Sequence, residues 1–380
     1  MGYTYSHRRI DFPNPAFLLA PLEGVTDAAF RYIVTKYGKP DWMFTEFTSA
    51  DGLMSQGLEK LLVDLWYSES ERPISAQIFG RRPEKLEGAA RLCAELGFDG
   101  IDINMGCPDK NVCGSGSGAA LIETPELALS CINAVKRGAP GLPVSVKTRI
   151  GYGAYDKAVF EDWVKLLLDT EVSALTFHLR TRREMSKVAA RWEEAAVAVR
   201  LRDKAKSATL IFGNGDARDL DHAAELAEQS GVDGVMLGRA VFGNPWLFNR
   251  EVKLSELSVA ERLRVMLEHA CVYEKLYGQS RRFVNMRKHF TSYVLGMPNA
   301  SELRAKLTQA DTAEQAYEAV KGSLADGFHD DCDFAAFRAE VVRSAPVHPN
   351  ADNDYERIRR KAGELMAASA SQDSHTVSPT

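Results

Sequence analysis

DINMGCPDKNVCGSGSGAAL, residues 102–121, is the most informative stretch of the chain. A short apolar strand ends at Asn104, and Cys107 follows inside a turn set by Gly106 and Pro108. Gly114, Gly116 and Gly118 come next, ahead of a helical run that carries Leu121 and Leu127. Strand, turn, glycine-rich loop and helix in this order predict an α/β fold whose backbone approaches a ligand closely at the strand end. The Cys107 thiol then stands at the mouth of that fold. A lone cysteine is more often a small buried hydrophobe, so the flanking sequence has to decide.

On both sides of this stretch, short β-rich apolar runs alternate with amphipathic helical ones. The strands expected are FLLA (17–20), WMFTEF (42–47), ISAQIF (74–79), GIDIN (100–104), PVSVK (143–147), SALTFH (173–178), ATLIF (208–212) and GVML (234–237). Helical patterns such as PEKLEGAARLCAEL and DLDHAAELAEQS separate most of them. Near-continuous apolar strands with helices between them predict parallel strands covered on both faces. Eight over about 240 residues fit a closed β/α barrel. A doubly wound open sheet is the alternative, but it usually carries one glycine-rich first turn, whereas here polar residues follow many strands. After about residue 250 the pattern is helical only, through SVAERLRVMLEHACVYEKLYG, SRRFVNMRKHFTSYVLG and ASELRAKLTQADTAEQAYEAVKGSL. The expected organisation is an eight-stranded parallel β/α (TIM) barrel over 1–249, a helical domain over 250–344, and a polar, disordered tail over 345–380.

The bulk properties narrow the class. A chain of 380 residues with 45% hydrophobic and 26% charged content fills a large core and keeps an ordinary surface. Its net charge of −5 gives no global positive field, so any nucleic acid must be met by local basic patches. Six cysteines with no CxxC spacing predict a reduced setting and no metal site. The N-terminal MGYTYSHRRIDFPNP lacks the apolar run of a signal peptide, and no stretch is long enough to span a membrane. A cytoplasmic monomer is expected.

Polar residues recur at the ends of the predicted strands. Pro21, Leu22 and Glu23 follow the first, and Gln77 ends the third. Asn104 and Cys107 follow the fourth, Lys147 ends the fifth and His178 the sixth. Asn214, Gly215 and Asp216 follow the seventh, and Gly238 and Arg239 the eighth. Each alone has a structural reading, but in a barrel all converge on the carboxyl-end rim, where such enzymes keep their sites. The glycines after strands seven and eight, with Arg239, suit a phosphate dianion. Lys147 and His178 bring positive charge toward a second electron-rich group, while Gln77 and Asn104 offer donor and acceptor to a planar ring with imide edges. A phosphate at one side and such a ring at the centre describe FMN. The competing reading is a phosphosugar aldolase with Lys147 as Schiff-base amine, which leaves Cys107 and its loop without a role.

These segments resemble those of the tRNA-dihydrouridine synthases across roughly 17–320. The matching runs are APLEGVTDAAFR (20–31), AQIFG (76–80), DINMGCPDKNVCGSGSGAALI (102–122), VSVKTRIG (144–151), FHLRTR (177–182), FGNGDA (212–217) and DGVMLGRAVFGNPWLF (233–248). One departure is Leu179, where the family's HxRT segment usually has a small residue. The resemblance implies that NADPH reduces FMN, that hydride passes to C6 of a flipped-out uridine in tRNA, and that Cys107 protonates C5 from the opposite face. It further implies that Asn104 holds the flavin or uracil edge, that Arg149 and Arg180 contact the substrate nucleotide, and that Cys113 is structural.

The second helical run carries Arg281, Arg282, Arg287, Lys288 and His289 around Phe283 and Phe290. The resemblance favours an RNA-binding stripe there, and a solvated helix face is the alternative. Two other functions remain open at this level: an FMN-dependent barrel oxidoreductase acting on a small pyrimidine or enoate, and a non-catalytic RNA-binding protein. The first has no need of the basic helix, and the second has no need of Cys107 and Lys147 together.

Overall fold

The computed structural model describes residues 2–5, 8–11, 13–278, 280–323, 331–346, 360 and 364. Eight parallel strands form the barrel: β1 (Ala16–Leu19), β2 (Met43–Phe44), β3 (Ile74–Phe79), β4 (Gly100–Met105), β5 (Val144–Arg149), β6 (Ala174–His178), β7 (Leu210–Asn214) and β8 (Gly234–Leu237). Their order around the sheet is β1-β8-β7-β6-β5-β4-β3-β2. A parallel bridge between Leu18 and Trp42 closes the ring, with the Leu19 N–H donating to the Trp42 carbonyl at 3.1 Å. The expected closed barrel is therefore found, and the open sheet is not. An antiparallel hairpin, Gly2–Tyr5 with Arg8–Asp11, precedes the barrel and was not expected from the sequence.

Strand geometry explains how an apolar sheet carries a polar site. Side chains alternate between the two faces of a strand. Ile101, Ile103, Val144, Val146, Leu175 and Phe177 point outward into the main core beneath the barrel helices. The intervening residues face the axis. At the bottom, Leu18, Phe44, Leu210 and Phe212 fill it with apolar side chains. At the top, Asn104, Lys147, His178 and Asn214 stand at neighbouring strand ends, because Asn104 is in register with Lys147 and His178 with both Arg149 and Asn214.

The barrel helices are α1 (Ala28–Gly38), α2 (Pro83–Glu95), α3 (Pro125–Gly138), α4 (Lys157–Leu168), α5 (Trp192–Ala205) and α6 (Leu220–Ser230). Sequence signals set their starts: Asp27, Asp156 and Asp219 cap α1, α4 and α6 by accepting backbone N–H groups, and Pro opens α2 and α3. Two short helices, Ala50–Leu53 and Leu58–Leu61, stand between β2 and β3.

Beyond the barrel the described chain is helical: α7 (Val259–Tyr277), α8 (Arg287–Tyr293), α9 (Ala300–Leu307), α10 (Ala313–Val320) and α11 (Asp331–Ser344). Ser258 and Glu261 form a reciprocal capping box at the start of α7. The single third helix expected from the sequence is two, because Thr312 caps a new helix by accepting the Gln315 N–H. The second expected helix is likewise shorter, a 3₁₀ turn at Phe283–Met286 running into α8. These helices share a second core that includes Ala28, Ala29 and Ile33 of α1. Helix α1 therefore belongs to both cores, and the helical segment is seated on the barrel's first βα unit. The expected disordered tail lies, from residue 347 on, outside the described residues except for 360 and 364.

Candidate active site

The carboxyl-end rim opens into a cleft of about 1060 Å³, at the upper end of the range for small-molecule sites. Pro21, Leu22 and Glu23 enter its wall from the loop after β1, and Asn104 and Cys107 from β4 and its turn. Lys147 and Arg149 come from β5, His178 and Arg180 from β6 and its loop. Asn214, Gly215 and Asp216 follow β7, and Gly238 and Arg239 follow β8. The barrel thus brings together residues spread over more than half of the chain.

Gln77 is the exception. It is fully buried and lies beneath the cleft instead of on its wall. Its Nε2 donates to Asp102 Oδ2 at 2.6 Å, and its Oε1 accepts from Asn104 Nδ2 at 3.0 Å. Ser145 Oγ completes the row by donating to Asp102 Oδ1 at 2.5 Å. Gln77 is therefore not on the cleft wall in this structure, where its amide links Asp102 to Asn104.

Asn104 passes that order to the cysteine. Its Oδ1 accepts the backbone N–H groups of Gly106, at 3.1 Å, and Cys107, at 2.8 Å. Arg149 secures the same turn by donating from Nε to the Gly106 carbonyl at 2.7 Å, and its Nη1 donates to the Thr181 carbonyl at 3.2 Å. Cys107 is 8% exposed. Burial pushes its thiol up to about 11, so the sulfur carries a proton at neutral pH. Cys113 is buried behind it and donates from Sγ to the Cys107 carbonyl at 3.3 Å, which fits a bracing role.

The cleft is cationic although the protein is acidic. Lys147, Arg149, Arg180, Arg218 and Arg239 line it, against Glu23, Asp109 and Asp216. Burial first, then the neighbouring Arg149, lowers Lys147 to about 8. The same two causes, with Lys147 and Arg180 behind them, hold His178 well below its ordinary range, so the imidazole is neutral. Lys147 Nζ donates to Asn214 Oδ1 at 3.2 Å, and Asn214 Nδ2 donates to the Met236 carbonyl at 2.8 Å. Arg180 is ion-paired with Asp216, which also accepts from Arg239 Nη2 at 3.0 Å. Burial works against the Asp216 charge, but the Arg180 hydrogen bond and its cationic neighbours hold the carboxyl below its usual value. Mutually repelling, partly desolvated cations on a cleft wall suit an anionic ligand. Gly215 adopts φ +139°, and a Cβ there would come within 2.8 Å of the Ala190 Cβ, so only glycine keeps this backbone at the cleft edge.

Leu179, the departure in the HLRT segment, is fully buried and turned away from the cleft. Its bulk enters the outer core and leaves Arg180 directed at Asp216. The sequence reading missed Phe47, which lines the cleft and meets Phe79 edge-on with ring centroids 5.4 Å apart. Its position at the end of a predicted strand is the signal that would have found it. Arg218 and His222, at the start of α6, were missed for want of any motif.

The basic run near residue 285 departs from one continuous stripe. Arg281 is 19% exposed and is ion-paired with Glu46 at 3.1 Å and with Asp64. Arg287 pairs with Asp311 at 3.1 Å. His289 is buried against the Phe30 ring and held neutral by burial, so it adds no charge. Arg282 and Lys288 are exposed, and Lys288 reaches back toward Gly24 at the cleft loop. None of the four cations lines the cleft.

A family model described as dihydrouridine synthase matches residues 18–327. The chain is 42% identical over 308 residues to a Staphylococcus epidermidis protein named "Probable tRNA-dihydrouridine synthase", covering 80% of this chain and 93% of that one. It is 41% identical over 307 residues to "Probable tRNA-dihydrouridine synthase 2" of Bacillus subtilis, with the same two coverages. Among solved structures, a 2-naphthoyl-CoA reductase in complex with 2-naphthoyl-CoA superposes with a TM-score of 0.50 at 10% identity. That match covers 66% of this chain and 51% of the other, and it speaks for the fold alone. Taken with a protonated cysteine on the rim of a cationic β/α barrel, the family match and the extent of these identities show that the chain belongs to the dihydrouridine synthase family.

Proposed function

We propose that this protein is a flavin-dependent tRNA-dihydrouridine synthase, which reduces uridines in tRNA to 5,6-dihydrouridine with FMN as its resident cofactor and NADPH as reductant. The observation that carries this reading is the pairing, in one cleft, of a proton-bearing Cys107 with a desolvated cation, Lys147.

The residues fit the flavin. Gly215, Gly238 and Arg239 form the end of the cleft that suits a phosphate dianion, and Pro21 to Glu23 close the side beside it. Lys147 and Asn104 face the middle, where a ring with carbonyl and imide edges finds both charge and hydrogen bonds. His178, kept neutral, adds a hydrogen-bonding group without further charge. Bound and reduced, the flavin supplies the hydride that C6 of uracil accepts.

The remaining chemistry belongs to the chain. Cys107 gives its proton to C5 from the face opposite the flavin, as a positioned general acid. With a thiol value of about 11, the thiolate left behind regains a proton readily from solvent at neutral pH. Asn104 and Arg149 hold the turn that aims the sulfur. Arg149 and Arg180 also border the space left for the substrate nucleotide. A uridine must leave its stack to enter, at a cost of a few kcal/mol, and RNA contacts elsewhere must offset it. We assign those contacts to residues 250–344, with Arg282 and Lys288 as the accessible cations and Arg281 and Arg287 engaged within the protein, and the chemistry to residues 1–249. A cytoplasmic monomer accords with this reading. No helix among the described residues is long and apolar enough to cross a membrane.

Purified protein is expected to be yellow and to release FMN on denaturation, identified by mass. Release of FAD, or no flavin after reconstitution, would overturn the cofactor assignment.

A further inference from the structure

A second, smaller depression of about 420 Å³ opens beside the cysteine loop, lined by Asp51, Arg81, Arg82, Ser115 and Ser117. It lies among the segments after β2, β3 and β4, across the barrel from the loops after β7 and β8. Arg82 is fixed by an ion pair with Asp51. Arg81 makes no hydrogen bond or ion pair among the described residues. Its guanidinium lies over Gly116, with Nη1 only 3.1 Å from where a Cβ would stand, and Gly116 adopts φ +78°. Glycine at 116 therefore lets the free guanidinium lie flat on the loop. Ser115 Oγ donates to the Val112 carbonyl at 2.7 Å and lies 3.2 Å from Ser117 Oγ, and Ser117 is 2% exposed, so the Ser117 hydroxyl is held in place at the pocket floor.

We propose that this pocket binds a phosphate ester, and specifically a backbone phosphodiester of the RNA strand whose uridine occupies the main cleft. Two guanidinium groups against one carboxylate leave a positive charge, and Arg81 offers unused donors beside the Ser117 hydroxyl, a donor set an oxyanion takes. The position favours the substrate strand. The pocket floor and the proton donor are parts of one braced segment: the Ser117 N–H donates to the Val112 carbonyl at 3.1 Å, and the Cys107 carbonyl accepts both the Ala119 N–H, at 3.1 Å, and Cys113 Sγ. A phosphate seated here fixes the strand to the loop that carries Cys107 and sets the register of the base beneath it. The cofactor phosphate end assigned above lies on the opposite side of the barrel, so the two anion sites do not compete. The other phosphate ester in reach is the 2′-phosphate of NADPH, and the test separates the two.

This inference rests on the tRNA substrate assigned above. The experiment compares wild type, Arg81→Ala, Arg81→Lys and Ser117→Ala as full-length, flavin-loaded proteins, by tRNA binding across a salt series and by steady-state kinetics. Arg81→Ala is expected to raise Kd and KM for tRNA about tenfold and to lower the salt slope by about 1, with kcat at saturating tRNA unchanged. Arg81→Lys keeps the charge and is expected to restore the slope but not the full affinity. Flavin content and flavin reduction by NADPH stay at wild-type level. Wild-type affinity and slope in Arg81→Ala would overturn the proposal while leaving the function intact. A raised KM for NADPH with NADH unaffected would overturn the RNA assignment in favour of the dinucleotide. A wild type that binds no tRNA would overturn the underlying function as well.

Discussion

The cleft wall and the helical segment near residue 285 both gather cations in an acidic protein, but they use them differently. In the cleft, Asp216 answers Arg180 and Arg239, but Lys147 and Arg149 make no ion pair among the described residues, and both are lowered by burial and by their cationic neighbours. In the helical segment, Arg281 and Arg287 are answered by Glu46, Asp64 and Asp311. Cations left facing each other mark a place for an anion from outside. Cations matched by carboxylates mark a seam within the protein. The Arg281 seam is a tight one: Glu46, which holds Arg281, also accepts the Gly24 N–H, so the helical segment is tied to the loop that borders the cleft.

The largest effect expected is at the cysteines. Cys107→Ala should retain flavin and its reduction by NADPH but lose roughly 10²–10⁴ in uridine reduction. Cys113→Ala should stay near wild type, since its one hydrogen bond to the Cys107 carbonyl is a weak brace. Equal losses in rapid single-turnover assays would erase the distinction between donor and brace. Next, Arg239→Ala should weaken flavin binding by roughly 1.5–3 kcal/mol, the worth of a charge-assisted contact. A fluorescence titration measures this, and an unchanged Kd would move the phosphate elsewhere.

The seam makes a contrasting prediction. Arg281→Ala removes the partner of a buried Glu46 and should lower stability by about 1–3 kcal/mol, read as a lower midpoint in urea. Unchanged stability would show that the pair is no clamp. The pH dependence of flavin binding tests the cleft from the other side. Lys147 loses its proton above about 8 in the free protein, and an electron-rich ligand favours the charged form. Affinity should then be constant below that value and fall with rising pH above it, by up to roughly tenfold per unit. A flat profile well beyond that value would remove Lys147 as a charged contact. The smallest effect is expected from Arg282→Glu with Lys288→Glu, two exposed positions whose reversal should weaken tRNA binding and flatten its salt dependence while flavin content holds. An unaltered slope would leave this face as ordinary solvated surface.

What was legible follows the same division. Strand ends could be placed from sequence because a barrel leaves a strand residue only two directions, in or out, and Lys147, His178 and Asn214 each follow a buried neighbour, Val146, Phe177 and Gly213, on the opposite face. The period of two does not give depth, which is why Gln77 was expected on the wall but lies under Asn104. Partners distant in sequence were hidden altogether. Nothing in SRRFVNMRKHF announces that Glu46 and Asp64, more than 200 residues earlier, neutralise Arg281. Helix breaks were legible only where a cap was noticed, and Thr312 was not.

In the proposed reaction Cys107 and a bound flavin act together on a uridine in tRNA. The direct measurement is mass analysis of nucleosides from unmodified tRNA incubated with NADPH and purified protein, wild type beside Cys107→Ala. Wild type should form dihydrouridine, heavier than uridine by two hydrogens, and the variant almost none, although both proteins hold flavin. Dihydrouridine formed equally by both, or by neither while the wild-type flavin is being reduced, would contradict it.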